Sequence, residues 1–145
     1  MLLKVLVIGK LKDKHFQSRV EEYSKWLTQN NKIEILELPD STKEKENELL
    51  LKHIEKENHA YIVALSEDGK ELTSRELASK LGGIQQKIVF IIGGPYGLTS
   101  EVKQRADFLW SLSKLTFTHE FARLILLEQL FRASNIQMGG SYHND

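Results

Sequence analysis

Short apolar runs alternate along the chain with segments of helical spacing. The runs at residues 2–8, 60–65 and 88–92 have almost no polar alternation, which is typical of strands buried on both faces of a sheet. Residues 33–38 alternate apolar and acidic side chains and predict a further strand, and residues 108–112 predict another. Five strands are therefore expected.

Between these strands the apolar residues recur every three or four positions, as in helices that bury one face. The helices are predicted over residues 16–27, 43–57, from Thr73 or Ser74 to about 86, from Thr99 or Ser100 to about 106, and from 120 to about 136. Strands that alternate with helices indicate the α/β class, a parallel-rich sheet with helices on both faces. We expect one domain over residues 1–145, since no repeat or linker interrupts the pattern.

The buried strand at residues 88–92 ends in Gly93-Gly94-Pro95-Tyr96-Gly97, called here the glycine turn. Ligands of open α/β sheets bind at the carboxyl edge, where such a turn exposes backbone groups. The turn lacks the spacing of a dinucleotide fingerprint and the Gly-Lys-Ser/Thr of a phosphate-binding P-loop. A ligand-binding loop is the favoured interpretation, and a tight turn without a ligand is the alternative.

The last predicted helix is apolar over most of its circumference. Its polar side chains form a narrow stripe of Arg123, Glu128, Gln129 and Arg132. A helix of this kind is buried on two sides. Either a second subunit covers one side, most simply in a symmetric dimer, or the helix is enclosed within one domain.

The amino-acid composition excludes several kinds of functional site. Hydrophobic residues make up 41% and charged residues 28% of the 145 residues, and there is no cysteine, which excludes disulfides and cysteine nucleophiles. No run approaches the roughly 20 apolar residues that span a bilayer. We expect the apolar start of the chain to be a strand, not a signal peptide, because Lys4 interrupts it and basic residues follow it. A cytoplasmic location fits these features.

The formal net charge is zero, which disfavours broad, sequence-independent binding of nucleic acid. Charge is nevertheless uneven, because residues 1–19 contain five basic side chains against one acid. These five are candidates for a local basic face: Lys4, Lys10, Lys12, Lys14 and Arg19. On charge alone they can equally be an ordinary solvated surface.

The sequence offers few candidates for catalytic side chains. None of the five histidines has the spacing of a metal site, and no serine lies in a nucleophile elbow. His119 can be a helix cap or a site residue. The terminal Tyr142-His143 pair combines an aromatic ring that can stack on a base with a group that can move a proton, although a tail of this composition usually frays.

Four segments together resemble one family. They are GGPYG, WSLSKLTFTH, ARLILLEQLFRA and the terminal YH. In order and spacing they are similar to the SPOUT-type ribosomal RNA large-subunit methyltransferase H family. The resemblance covers the whole chain and implies a homodimer with a C-terminal trefoil knot. It also implies methylation of N3 of a pseudouridine in 23S ribosomal RNA, on the assembled ribosome, with S-adenosylmethionine as the cofactor and without a metal.

The resemblance also implies which residues form the site. By position, the cofactor-binding residues are Leu65, Gly93, Leu112, Ser113, Lys114, Leu115, Thr116 and Phe117. His143 is the candidate for removing the N3 proton or orienting the base, with Tyr142 beside it. Arg132, like Arg123, is a candidate for holding phosphate or stabilising a ring oxyanion. The alternatives are a non-catalytic RNA- or ribosome-binding module of the same fold and a flavodoxin-like nucleotide-binding protein.

Overall fold

Five parallel strands form one sheet in the computed structural model, which describes residues 1–145. The strand order is β2-β1-β4-β3-β5, and all neighbouring pairs are parallel. In chain order the elements are β1 (Leu2–Ile8), α1 (Lys14–Leu27), β2 (Lys32–Leu38), α2 (Lys43–Glu55), β3 (Tyr61–Glu71), α3 (Ser74–Gly82), β4 (Ile88–Ile92), α4 (Ser100–Arg105), β5 (Phe108–Ser111) and α5 (His119–Gln137). None of the helices combines the length and apolar character needed to cross a bilayer.

The sheet separates two apolar clusters. Side chains of α1, α3 and α5 pack on one face, and side chains of α2 and α4 pack on the other. Alternation along β1 shows the division, since Val5 and Val7 join the first cluster while Leu6 and Ile8 join the second. All five residues of the central strand β4 are buried. The predicted α/β class, with helices on both faces of a parallel sheet, is confirmed, and the trefoil knot stays a prediction.

Each helix begins at a side-chain cap. The caps are Asp13 for α1, Thr42 for α2, Thr73 for α3, Thr99 for α4 and Thr118 for α5, and each accepts a hydrogen bond from a backbone N–H of the first turn. Such a bond satisfies a donor that has no partner within the helix. Of the predicted alternatives, threonine is therefore the cap of both α3 and α4.

Two predicted boundaries differ from the structure by more than two residues. Helix α3 ends at Gly82 instead of near residue 86, because the successive glycines Gly82 and Gly83 favour termination. Strand β3 does not end at Leu65 but continues to Glu71. Leu65 and Lys70 both pair with Trp110, so the residues between them, predicted as a turn, form a bulge within the strand.

The polar stripe predicted on α5 is only partly correct, because Arg123 is buried with 2% of its surface exposed. Its Nη1 donates to Oε2 of Glu37 at 2.6 Å, and its Nη2 donates to the carbonyl oxygen of Gly9 at 2.9 Å. The guanidinium thus fastens α5 to the carboxyl ends of β1 and β2. This internal pairing explains how a charged residue lies in a core.

Candidate active site

A cavity of about 290 Å³ opens at the start of the β3 bulge and at the carboxyl ends of β4 and β5. Three segments form most of its wall: the start of the β3 bulge, the glycine turn, and residues 112–117, called here the second loop. The carboxyl edge of a parallel sheet is where ligands of open α/β folds bind, and the volume lies near the lower end of the ~300–1,000 Å³ typical of small-molecule sites. The expected ligand edge therefore carries a real cavity.

Most of the predicted cofactor residues meet at this cavity. Its lining includes Leu65, Gly93, Leu112, Ser113, Leu115 and Phe117. Lys114 and Thr116 lie in the same loop but are exposed and do not line the cavity. Four of the six residues of the second loop therefore line the cavity.

A close contact and a backbone angle explain why glycine occupies two positions of the glycine turn. A Cβ atom on Gly93 would lie 2.8 Å from Cδ2 of Leu98, and Gly97 has a φ of +79°, which side chains rarely adopt. The N–H of Gly97 donates to the carbonyl oxygen of Gly94 at 3.0 Å and closes the turn. The turn therefore has a definite shape without a ligand.

Asn47, in the early part of α2, supports the glycine turn. Its Nδ2 donates to the carbonyl oxygen of Gly97 at 3.3 Å, and its Oδ1 accepts from the N–H of Thr99 at 2.9 Å. Glu46, next to it, is also buried and accepts from the N–H of Ser41 at 2.9 Å. Neither residue could be singled out from the sequence, because both lie in a charged helix in which buried and solvated polar side chains look alike. Only a fold that brings α2 under the turn distinguishes them.

Charged side chains surround the mouth of the cavity. Lys43, Glu67, Asp68 and Lys103 all contribute to its wall. Nζ of Lys103 donates to Oδ2 of Asp68 at 2.8 Å and lowers the pKa of that carboxyl. This ion pair connects the β3 bulge to α4 across one side of the opening.

The predicted catalytic residues Arg132, Tyr142 and His143 form a second group, called here the tail cluster. Nη1 of Arg132 lies 3.2 Å from Nδ1 of His143, and the guanidinium lies 4.7 Å from the centroid of the Tyr142 ring. Arg132 also pairs with Glu128, whose hydrogen bond raises the pKa of the guanidinium. Tyr142 and His143, which lie beyond the end of α5, are thus both in contact with Arg132 on that helix.

The chain end is anchored, contrary to the fraying expected from its composition. The hydroxyl of Tyr142 donates to Oε1 of Glu128 at 3.2 Å, and the tyrosine ring packs edge-on against Phe131. Burial, followed by the contact with the Tyr23 hydroxyl, raises the pKa of Tyr142 well above its ordinary value. Asp145 forms two hydrogen bonds with Arg75 on α3. Both ends of the tail are therefore attached to the body of the protein.

Within one chain the tail cluster and the cavity lie apart. No residue of the tail cluster lines the cavity, and Ala122 is the residue of α5 that does. Ten helical residues separate Ala122 from Arg132, which corresponds to about 15 Å along the axis. The structure thus groups most of the predicted cofactor residues at the cavity and the predicted catalytic residues in the tail cluster. Within one chain, these two groups are not next to each other.

For His119 the sequence left two interpretations open, a helix cap or a site residue. Thr118 is the cap of α5, so the interpretation of His119 as the cap is wrong. The imidazole lies against Gly9, where an added Cβ would come within 3.0 Å of Cε1, and its buried Nδ1 has no hydrogen-bond partner. His119 is not part of the cavity wall.

The candidate basic face is smaller than predicted. Lys10, Lys12 and Lys14 are exposed around the start of α1. The inclusion of Lys4 was wrong, because its side chain is largely buried and its Nζ donates to Oε1 of Glu57 at 2.6 Å. Arg19 is exposed but pairs with Glu22. No group of three or more histidine, aspartate or glutamate side chains is arranged to hold a metal ion.

Comparison with known proteins gives consistent matches over nearly the whole chain. A family model described as "Predicted SPOUT methyltransferase" matches residues 1–143. Ribosomal RNA large subunit methyltransferase H of Prochlorococcus marinus (strain NATL1A) is 43% identical over 143 residues, covering 98% of this chain and 95% of the relative. The protein of the same name from Dictyoglomus thermophilum is 42% identical and covers 99% of both chains.

Solved structures resemble the fold at much lower identity. A tRNA (m1G37) methyltransferase from Aquifex aeolicus superposes with a TM-score of 0.59 at 18% identity, over 91% of this chain and 70% of the other. A probable methylase family protein from Haemophilus influenzae gives a TM-score of 0.58 at 12% identity, over 99% and 70%. At these identities the likeness concerns the fold alone.

Proposed function

This chain belongs to the SPOUT methyltransferase family, and from that premise we propose that it methylates N3 of a pseudouridine in 23S ribosomal RNA, with S-adenosylmethionine as the methyl donor. The observation that carries the proposal is the cavity at the carboxyl edge, lined by residues of the glycine turn and the second loop. Relatives named ribosomal RNA large subunit methyltransferase H support the choice of substrate.

The cavity fits a nucleoside donor. Leu65, Leu112 and Phe117 offer apolar surface for a flat base, and Gly93 leaves its backbone open to a ligand edge. The remaining proposed cofactor residues, which are Ser113, Lys114, Leu115 and Thr116, complete the second loop. S-adenosylmethionine, when bound, supplies a methyl group on a sulfonium that carries its own leaving group. The protein therefore has mainly to bind, align and exclude water.

The proposed reaction also needs a base, since N3 of a pseudouridine must lose a proton, and the tail cluster offers one. We assign the removal of that proton, or the orientation of the ring, to His143. Tyr142 offers an aromatic face against which the base can lie. The positively charged guanidinium of Arg132 would stabilise the negative charge that develops on the ring.

A homodimer would reconcile the separated halves of the site. Within one chain the tail cluster lies about 15 Å along α5 from the residue that touches the cavity. Half of Phe121 is exposed, and Leu124, Ile125 and Phe131 on α5 are only partly buried, so apolar surface remains for a partner. We propose that two copies associate through α5 and that the tail of one serves the cavity of the other.

The remaining assignments follow from the substrate. We propose that residues 1–145 form a single methyltransferase domain, which acts in the cytoplasm on the assembled ribosome. Lys10, Lys12 and Lys14 are the exposed cations that would contact phosphates, whereas Lys4 is occupied by Glu57. A small basic face is sufficient when a structured particle, not free RNA, is the substrate.

The test is methyl transfer to ribosomes that lack the modification. Purified protein and S-adenosylmethionine are incubated with ribosomes from a deletion strain, and the nucleosides of the 23S RNA are analysed by mass spectrometry. A methylated pseudouridine that needs both protein and donor is expected. Absence of any new methylated nucleoside, on ribosomes and on free rRNA alike, would refute the proposal.

A further inference from the structure

Glu46 is a buried carboxylate that touches the wall of the cavity from behind. Only 1% of the residue is exposed, and its Oε1 has no hydrogen-bond partner. A Cβ atom placed on Gly94 would lie 2.6 Å from this Oε1 and 3.0 Å from Cγ2 of Ile8. Since Gly94 lines the cavity, the unpartnered oxygen is separated from the ligand space by one glycine residue.

The charge of Glu46 is not neutralised within the chain. Glu46 takes part in none of the ion pairs, and its one hydrogen-bond donor is the N–H of Ser41. The hydrogen bond from Ser41 and the position of Glu46 in the first turn of α2 stabilise the carboxylate in part, but its Oε1 has lost its hydration without gaining a partner. A ligand that carries a positive charge at the glycine turn would supply the partner that the chain itself does not.

Support of the glycine turn does not explain the charge. Asn47, the next residue, already holds the turn through Gly97 and Thr99 with a neutral amide. A glutamine at position 46 would keep an acceptor for Ser41, although a weaker one. Support of the turn therefore leaves the charge of Glu46 without a structural role.

The other charged groups at the cavity are poor alternatives. Lys103 and Asp68 neutralise one another, and Lys43 and Glu67 are exposed, so that water and salt screen them. A charge in a buried position is screened much less. Of the charges near the glycine turn, Glu46 therefore has the strongest influence on a ligand inside the cavity.

We propose that Glu46 is the counter-charge for the sulfonium of the methyl donor. The inference rests on the proposed function. Breaking the S–CH₃ bond leaves the electron pair on sulfur, while N3 gains the methyl group and loses its proton to a base. The product is thus a neutral thioether, to which Glu46 offers no attraction. The residue favours binding of the charged donor over its spent form and is not a catalytic residue.

The test compares two ligands that differ in this charge. Dissociation constants for S-adenosylmethionine and S-adenosylhomocysteine are measured by calorimetry on the wild type and on Glu46→Gln, which keeps the acceptor for Ser41. We expect the Kd of the donor to rise about tenfold, corresponding to ~1.4 kcal/mol, and the Kd of the product to change less than about twofold. Equal changes for both ligands, or none, would overturn the inference.

Asn47→Ala is the matched control, because it weakens the support of the same turn without altering charge. It should shift both dissociation constants by the same factor. If thermal melting shows that Glu46→Gln does not fold, Glu46→Met, which is uncharged and suits the contact with Ile8, replaces it under the same criteria. A wild type that binds neither ligand refutes the proposed function as well. A wild type that binds both, with an unchanged ratio in the variant, refutes the counter-charge alone.

Discussion

Nη1 of Arg132 lies 3.2 Å from Nδ1 of His143. A guanidinium can only donate, so Nδ1 is the acceptor, and the proton of the neutral imidazole is on Nε2. Nε2 in turn lies 2.9 Å from Oδ1 of Asp145, to which it donates. Both nitrogens of the proposed base are therefore engaged in the free chain. Since Nε2 already carries a proton, Nδ1 must give up its contact with Arg132 before His143 can accept a proton from a substrate.

His143→Ala should slow methyl transfer without preventing donor binding. Removal of a group that transfers a proton typically lowers a rate by ~10²–10⁴-fold. The measurement is single-turnover methylation of ribosomes at saturating donor, with calorimetry of the donor alongside. Asn144→Ala, at the exposed neighbouring position, is the control and should retain the wild-type rate. An unchanged rate in His143→Ala would remove the residue from the mechanism.

Mixed dimers can show whether the tail acts on the partner's cavity. One subunit carries Leu112→Arg, which places a cation in the cavity against the cationic donor, and the other carries His143→Ala. If the tail acts across the dimer, one of the two sites combines an intact cavity with an intact tail, and activity is retained. If each tail serves its own chain, both sites are damaged. Inactive mixed dimers with wild-type melting temperature would argue for the second arrangement.

Gly69→Ala should destabilise the protein strongly. The added Cβ would lie 2.5 Å from the backbone oxygen of Leu109, which belongs to β5 and cannot move aside like a side chain. Overpacking of this kind costs about 1–3 kcal/mol in the free energy of unfolding. Gly83→Ala is the control, because its Cβ would meet nothing nearer than 3.6 Å. Urea unfolding of both variants measures the difference in their free energies of unfolding. Equal stability would mean that the bulge lies farther from β5 than in the structure.

The attachment of the tail to α3 should be lost in acid. Arg75 and then His143 lower the pKa of Asp145 to about 2. Because the pKa is depressed below its ordinary ~3.9, the contact contributes fully above that pH and disappears as the pH falls towards 2. The carboxyl resonance of Asp145 followed by NMR should give this low midpoint in the wild type and a higher one in Arg75→Ala. The same midpoint in both would contradict the ion pair.

The sequence predicted the order of strands and helices well because the apolar pattern is local. The ends of β1 and β4 agree with the structure to the residue, since the apolar runs stop at Gly9 and Gly93. The bulge of β3 was missed because Ser66–Lys70 has a composition typical of a turn, and only the pairing with Trp110 shows that the strand resumes.

The site was predicted in part, and through the family resemblance more than through residue chemistry. Six of the eight proposed cofactor positions line the cavity, which is a matter of geometry and does not test their role. Glu46, Asn47 and Arg123 carry no local signal. Each is a polar residue of a helix, and its burial depends on which element the fold places beside it. The separation of the tail cluster from the cavity likewise depends on tertiary structure.

The most direct test of the account is titration of the purified protein with S-adenosylmethionine and with S-adenosylhomocysteine by calorimetry. We expect saturable binding of the donor in the micromolar range, which is lost in Leu112→Arg because this substitution places a cation in the cavity wall. If the folded wild-type protein produces no binding heat at several temperatures with either compound, the cavity is not a donor site, and the methyltransferase account is contradicted.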